Sequence, residues 1–280
     1  MKRKNPVVFT ILAMALALLG ASAAQAGTWP ADHLTTAYTW VHNPCIEVAN
    51  NLWGSPASIS YDANNELHAT AKCGSFTALL LKDAYPGVVT DSVLIALTGS
   101  SSPFADEWHV AILNEASDAG SGIGFVRRDT VASIQRGDVL ASAYSQSGDT
   151  GHVMTVREPV LVASNVSLPS DKQIQGVSLV NRYEVSVFDS TNSPHGAYGS
   201  NPKPDTRYKR FCNGAWELVT DTGIGSGTIV LYEDAATGAL VAWAWNVSPT
   251  TSSFYYAVTP NQGNFQYRPM VAGFLDGPGL

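Results

Sequence analysis

The apolar positions of this chain change period part-way along it. From Phe76 the apolar residues Phe76, Leu79, Leu80 and Ala84 recur at helical spacing, and Tyr85-Pro86-Gly87 ends the run, as expected of a helix stopped by proline and glycine. Weaker helical patterns surround it at 46–53 and 105–115. Beyond Arg136-Gly137-Asp138 the apolar residues gather into short β-branched and aromatic runs at 139–143, 152–156, 160–163, 183–188, 228–232, 240–245, 254–258 and 270–274. Gly, Pro, Ser and Asp separate them, which is the signature of strands. Helices followed by consecutive strands predict an α+β fold with an antiparallel sheet. The stretch at about 190–213, rich in Pro, Gly, Ser and charge, is expected to be a long surface loop.

The first residues predict a destination. Lys2, Arg3 and Lys4 precede an apolar stretch at 7–19, and small residues lead to Ala24-Gln25-Ala26. This is the three-part pattern of a cleavable secretory signal. Residues 1–26 are therefore expected to be removed, leaving 27–280 as a single exported domain, periplasmic or extracellular. No later segment reaches the roughly 20 apolar residues of a spanning helix, so no integral membrane segment is expected after cleavage. The 45% apolar and 10% aromatic content supports a buried core. A net charge of −7 with no basic cluster beyond the signal argues against nucleic acid as a partner.

Three cysteines in an exported chain leave at least one unpaired within it. Cys45 and Cys212 lie in polar, loop-like surroundings, which favours a bridge between them and a free Cys73. Cys73 opens the strongest helix, in Lys72-Cys73-Gly74-Ser75-Phe76. Helix N–H groups and the helix dipole stabilise a thiolate there, and the same groups can hold an oxyanion. Gly74 and Ser75 are small enough to leave the sulfur open, and Lys72 adds a nearby positive charge. A buried structural cysteine is the alternative reading of this position.

A nucleophilic thiol needs a base. His152 follows Gly151 at the start of an apolar strand run, where an imidazole can project from a sheet edge. Asp189 ends the next long strand run and would lie beside His152 if the two strands pair antiparallel, as the third group that orients the ring. His195, in Ser193-Pro194-His195-Gly196, can line the cleft or sit in a surface turn. Trp243 and Trp245 share one strand face, which points to packing before sugar stacking. Gly223-Ile224-Gly225-Ser226-Gly227 lacks the strand-before, helix-after context of a nucleotide loop. No metal motif and no cofactor motif is present.

The order of these stretches resembles the NlpC/P60-type papain-like hydrolases, a superfamily of bacterial cysteine peptidases and amidases related to CHAP domains. The matching residues are Lys72-Cys73-Gly74-Ser75-Phe76, Arg136-Gly137-Asp138-Val139, Gly151-His152-Val153 and Asp189. Asp189-Ser190-Thr191-Asn192-Ser193-Pro194-His195-Gly196 looks closer still to secreted members of that superfamily. Lys72 and the order Gly74-Ser75 differ from the family's Asp/Asn-Cys-Ser-Gly. The resemblance implies a papain-like domain with N-terminal helices packed on the sheet and additional C-terminal strands. It implies hydrolysis of an amide bond in a cell-envelope peptide, such as a peptidoglycan stem peptide, by Cys73, His152 and Asp189. Ser75, Gly151 and His195 would then contact substrate. Two other readings stay open: a degenerate, binding or toxin-like module on the same fold, and an acyltransferase.

Overall fold

A computed structural model of the chain describes residues 32–42, 48–144, 149–196, 205–212, 214–219, 221–248, 253–258 and 266–280. The expected signal segment 1–26 and Cys45 lie outside these residues.

Helix α1 (Asp32–His42) is followed by three short strands, β1 (Asn51–Trp53), β2 (Ser58–Tyr61) and β3 (Leu67–Ala71), which form a small sheet in the order β1-β3-β2. Helices α2 (Cys73–Ala84), α3 (Asp91–Thr98) and α4 (Ala105–Leu113) come next. The remaining strands are β4 (Ser117–Asp118), β5 (Ile123–Arg127), β6 (Val139–Ala143), β7 (Gly151–Val166), β8 (Val180–Thr191), β9 (Lys209–Cys212), β10 (Ala215–Leu218), β11 (Gly223–Asp234), β12 (Leu240–Ala244), β13 (Phe254–Tyr256) and β14 (Met270–Asp276). Nine of them form one antiparallel sheet in the order β13-β12-β11-β8-β7-β6-β14-β5-β4, and among the described residues β9 pairs only with β10.

That sheet curls back on itself. The Tyr256 N–H donates to Gln266 O at 2.9 Å, the Arg268 N–H to Tyr256 O at 2.9 Å, and the Ala143 N–H to Pro269 O at 3.0 Å. The chain entering β14 thus bonds β13 on one side and β6 on the other, so the strands from β6 to β13 close into a ring. Its interior is apolar, built from residues such as Leu140, Met154, Val187, Leu231 and Trp243. Each such side chain contributes about 1.5–3 kcal/mol when fully buried. Outside the ring, α2 and α4 pack on the strands that carry Val139, Ala141 and Val153, and α3 packs on α4, β4 and β5. Helix α1 and the small sheet cover Phe188 and Ile224.

These elements overturn the expected α+β, papain-like arrangement of N-terminal helices on an antiparallel sheet with extra C-terminal strands. Among the described residues the structure is mostly β, about 39% strand against 23% helix. Strands β1 to β3 precede α2, so the helices are not an N-terminal layer. Where a helix is expected at 46–53, the described part is a 3-10 turn followed by β1. The reason is tertiary. The buried Asn51 amide donates to Ile224 O at 2.8 Å and to Asp221 at 3.0 Å, and accepts from the Ile224 N–H at 2.8 Å. That clamp holds β1 extended beside β11, and no local periodicity encodes it. The strands are also longer than their apolar cores. The run at 160–163 is no separate strand but the far end of β7, where Pro159 stands opposite Val185 of β8 and the register shifts at three places. Strand β6 ends its pairing at Thr155, so Pro159 sits where β7 has one edge unpaired, as a strand proline tolerates.

Candidate active site

Cys73 is the first residue of α2. Lys72 before it is extended (φ −94°, ψ 166°) and its side chain caps nothing. The first intrahelical bond runs from the Phe76 N–H to Lys72 O, which leaves the N–H groups of Cys73, Gly74 and Ser75 without helical acceptors. Gly74 is dictated by packing, since a Cβ there would lie 2.2 Å from the Pro103 carbonyl oxygen. The glycine directly after the cysteine, where the resembling family has serine, therefore has a local cause. Lys72 does not attend the sulfur: its Nζ stands 5.2 Å above the Trp53 ring.

His152 is the second residue of β7. The Gly151 before it has φ +132°, and a Cβ would fall 1.8 Å from Ser142 O, so only glycine lets the strand start here. Strands β7 and β8 are antiparallel, with Thr155 opposite Phe188, which brings the C-terminal end of β8 beside the start of β7. His152 Nε2 lies 2.6 Å from Asp189 Oδ2, and both side chains are buried. With Nε2 committed to the carboxylate, Nδ1 is the nitrogen open to the thiol. The Cys73 sulfur sits 4.0 Å from Gly151 O. Burial opposes a charged ring, yet the neighbouring Cys73 and the bond to Asp189 outweigh it, and the His152 pKa is pushed up to about 9. The structure thus brings Cys73, His152 and Asp189 together.

Behind Asp189 lies a layer that sequence reading missed. Asp189 Oδ2 also accepts from His195 Nε2 at 2.9 Å, and Oδ1 accepts from Arg207 Nη2 at 2.7 Å. Arg207 further donates to Asp205 Oδ1 at 2.9 Å and Oδ2 at 2.9 Å, and to Gly223 O at 2.9 Å. The His195 backbone N–H donates to Asp205 Oδ2 at 2.8 Å, and His195 Nδ1 stands 2.9 Å from Trp245 O. Burial alone would raise the Asp189 carboxyl, but Arg207, then His195 and His152, outweigh it and hold it well below the usual carboxylate range.

His195, Asp205 and Arg207 are all buried, so His195 belongs neither to a surface turn nor to the cleft, and the segment at 190–213 carries buried chemistry. Strand β11 makes room for it. A Cβ at Gly225 would lie 2.7 Å from the Arg207 guanidinium, and one at Gly227 2.4 Å from the His195 ring. Gly225 stands directly opposite Asp189 in the ladder. Glycines at alternate positions of one strand face mark close approach by bulky groups. That was the signal in Gly223-Ile224-Gly225-Ser226-Gly227.

The triad opens onto a cleft of about 650 Å³ that Cys73, Ser75, Gly151, His152 and Trp245 help to line. Ser75 Oγ accepts from Ser102 Oγ at 3.1 Å. The Trp245 ring lies 4.8 Å from that of His152 and 4.3 Å from that of His195, whereas Trp243 is buried in the ring interior. His152, Asp189 and His195 offer a set of atoms that could hold a metal. Their N···O separations of 2.6 and 2.9 Å are hydrogen-bond distances, shorter than the roughly 3.3 Å between two ligands about 2.0–2.1 Å from one tetrahedral ion. Arg207 on the same carboxylate also opposes a cation. Cys73 is a free cysteine; the expected partner bridge falls on Cys45 and on the Cys212 side chain, which lie outside the described residues.

No family model matches the chain, and no solved structure matches it. An uncharacterised protein of Acanthamoeba polyphaga mimivirus is 26% identical over 208 residues, covering 73% of this chain and 77% of the viral one.

Proposed function

We propose that the protein is an exported cysteine hydrolase that cleaves an amide bond, with a cell-envelope peptide such as a peptidoglycan stem peptide as its substrate class. One observation carries the reading: a helix-initial thiol lines the same open cleft as an imidazole, and that imidazole is bonded at 2.6 Å through Nε2 to a buried carboxylate. The order of motifs shared with the NlpC/P60-type hydrolases supports the same reaction class, independently of fold.

The Cys73 thiolate attacks the substrate carbonyl, and the N–H groups of the first turn of α2 hold the oxyanion. The C–N bond breaks as the His152 imidazolium protonates the departing amine, leaving a thioester on Cys73. His152, now neutral, takes a proton from water, whose oxygen attacks the thioester. The C–S bond breaks, the acid leaves and the thiolate–imidazolium pair returns. Asp189 keeps the ring oriented throughout.

The test is alkylation of Cys73 by iodoacetamide, followed by mass spectrometry, in the folded chain and in His152→Ala. A positioned base contributes about 10²–10⁴-fold, so Cys73 should react far faster than free cysteine and lose that advantage in the variant. A Cys73 no more reactive than free cysteine, and indifferent to His152, would overturn the reading. Cleavage of stem tetrapeptides, with and without an added amine acceptor, then separates hydrolysis from acyl transfer.

A further inference from the structure

The cleft that holds Cys73 and His152 also presents Arg268. Its backbone is fixed on both sides: the N–H donates to Tyr256 O at 2.9 Å, and the carbonyl accepts from Trp243 Nε1 at 3.0 Å. Its guanidinium carbon lies 3.9 Å from the centre of the Tyr144 ring and 4.0 Å from that of Tyr255. Two aromatic rings therefore hold the cation between them at van der Waals distance. Stacking uses only the flat faces of a guanidinium; the five N–H donors point outward along the edge of the plane.

Four other arginines spend their edges on carboxylates: Arg127 pairs with Asp129, Arg128 with Asp138, Arg182 with Glu184 and Arg207 with Asp189. Arg157 resembles Arg268 in lying over two rings, at 5.6 Å from Tyr38 and 5.8 Å from Phe188, but outside the cleft. Among the described residues the Arg268 side chain has no such acceptor; it stands against the Tyr144 and Tyr255 rings. Lys72 brings a second cation to the same cleft and Asp149 a single carboxylate. A locally cationic cleft thus sits in a chain of net charge −7.

We propose that Arg268 is a specificity residue that binds a carboxylate of the substrate, so that the amide cleaved belongs to an anionic peptide. The inference rests on the hydrolase reading and names the substrate class of that same site. A planar, pre-stacked guanidinium recognises a carboxylate through two parallel N–H···O bonds and loses little freedom in doing so. The carboxylate can be the α-carboxylate at a peptide's end or the side chain of an acidic residue, and the experiment tells them apart.

The probes are three N-chloroacetyl compounds: alanine as its free acid, alaninamide, and glutamic acid α-amide. In each, the Cys73 sulfur displaces chloride from the chloroacetyl carbon, forming the C–S bond as the C–Cl bond breaks. The thiol proton remains on His152 until solvent removes it. Second-order rates at Cys73 are measured for the wild type, Arg268→Gln and Arg268→Lys. Charge-assisted hydrogen bonds predict a preference of about 10-fold or more for a carboxylate probe over alaninamide. The preference falls to within about twofold in Arg268→Gln and survives in reduced form in Arg268→Lys, which keeps the charge without the fork. Whichever acidic probe shows it identifies the carboxylate. Fast labelling with no acid preference in the wild type, or a preference unchanged in Arg268→Gln, overturns this inference and leaves the hydrolase reading standing. Labelling no faster than free cysteine with every probe overturns the hydrolase reading itself.

Discussion

The two sides of the His152 ring are built on opposite principles. On the Nε2 side every polar atom is engaged: Asp189 accepts from His152, His195 and Arg207, and Arg207 in turn binds both oxygens of Asp205. On the Nδ1 side the sulfur has a 4.0 Å contact with Gly151 O and open cleft beyond it. The ring is thus held from behind by buried, mutually neutralising charges, while the reactive atom keeps few commitments. Orientation and reactivity are assigned to different residues, and substitutions on the two sides should fail in different ways.

The largest expected effect is on the front. Cys73→Ala should cost several orders of magnitude in turnover, up to about 10⁶-fold for a nucleophile, with little change in the urea unfolding midpoint. A matching loss of stability would show that the sulfur is chiefly a packing group. On the back, Arg207→Met leaves Asp189 and Asp205 buried without their cation. Breaking a buried ion pair on one side costs about 3–5 kcal/mol, read as a fall in the unfolding free energy; a neutral outcome would show the layer to be dispensable.

Smaller, and shared by both sides, is the pH response. His152 has its folded pKa raised to about 9 from the ordinary 6.5. The stability it contributes is complete below 6.5 and is lost as pH rises through about 9. Turnover should fall over the same basic limb, because the imidazolium is the acid for the departing amine. Asp189, held low, has the opposite sign: its contribution is present above the ordinary carboxylate range and is lost as pH falls through its depressed folded pKa. His152→Gln should remove the basic limb of stability, measured by urea titration across pH. The smallest effect is expected from Lys72→Met, which removes the stack on Trp53, worth about 0.5–1 kcal/mol at an exposed site. It should change Cys73 alkylation by less than about threefold, since the ammonium faces Trp53 and not the sulfur.

The front of the site is largely legible in the sequence. Helical spacing from Phe76 places Cys73 at a helix start, and the glycine before His152 marks a strand opening. Both are local patterns, and the structure forms both elements there. The back is not legible, because Arg207, held by Asp205, reaches Asp189 from a segment that reads as a polar loop. Composition describes what a segment exposes to solvent on average, not the one or two residues that it buries. The same limit explains the fold. Strands β7, β8 and β11 run well past their apolar cores into glycine, serine and proline, and β1 is held extended by Asn51 through contacts more than 170 residues away along the chain. A period of two interrupted by glycines is easily read as a break when it is a strand with one face left open.

That open face couples positions that are far apart in the chain. A side chain at position 225 or 227 and the pair Arg207 and His195 cannot occupy the same space, so these positions can diverge only in concert. In a descendant lineage that abandons the chemistry, β11 can fill in with ordinary strand residues while Cys73 is still present. Alanine, serine or valine at 225 and 227 would then be an earlier mark of a lost activity than the loss of the cysteine itself.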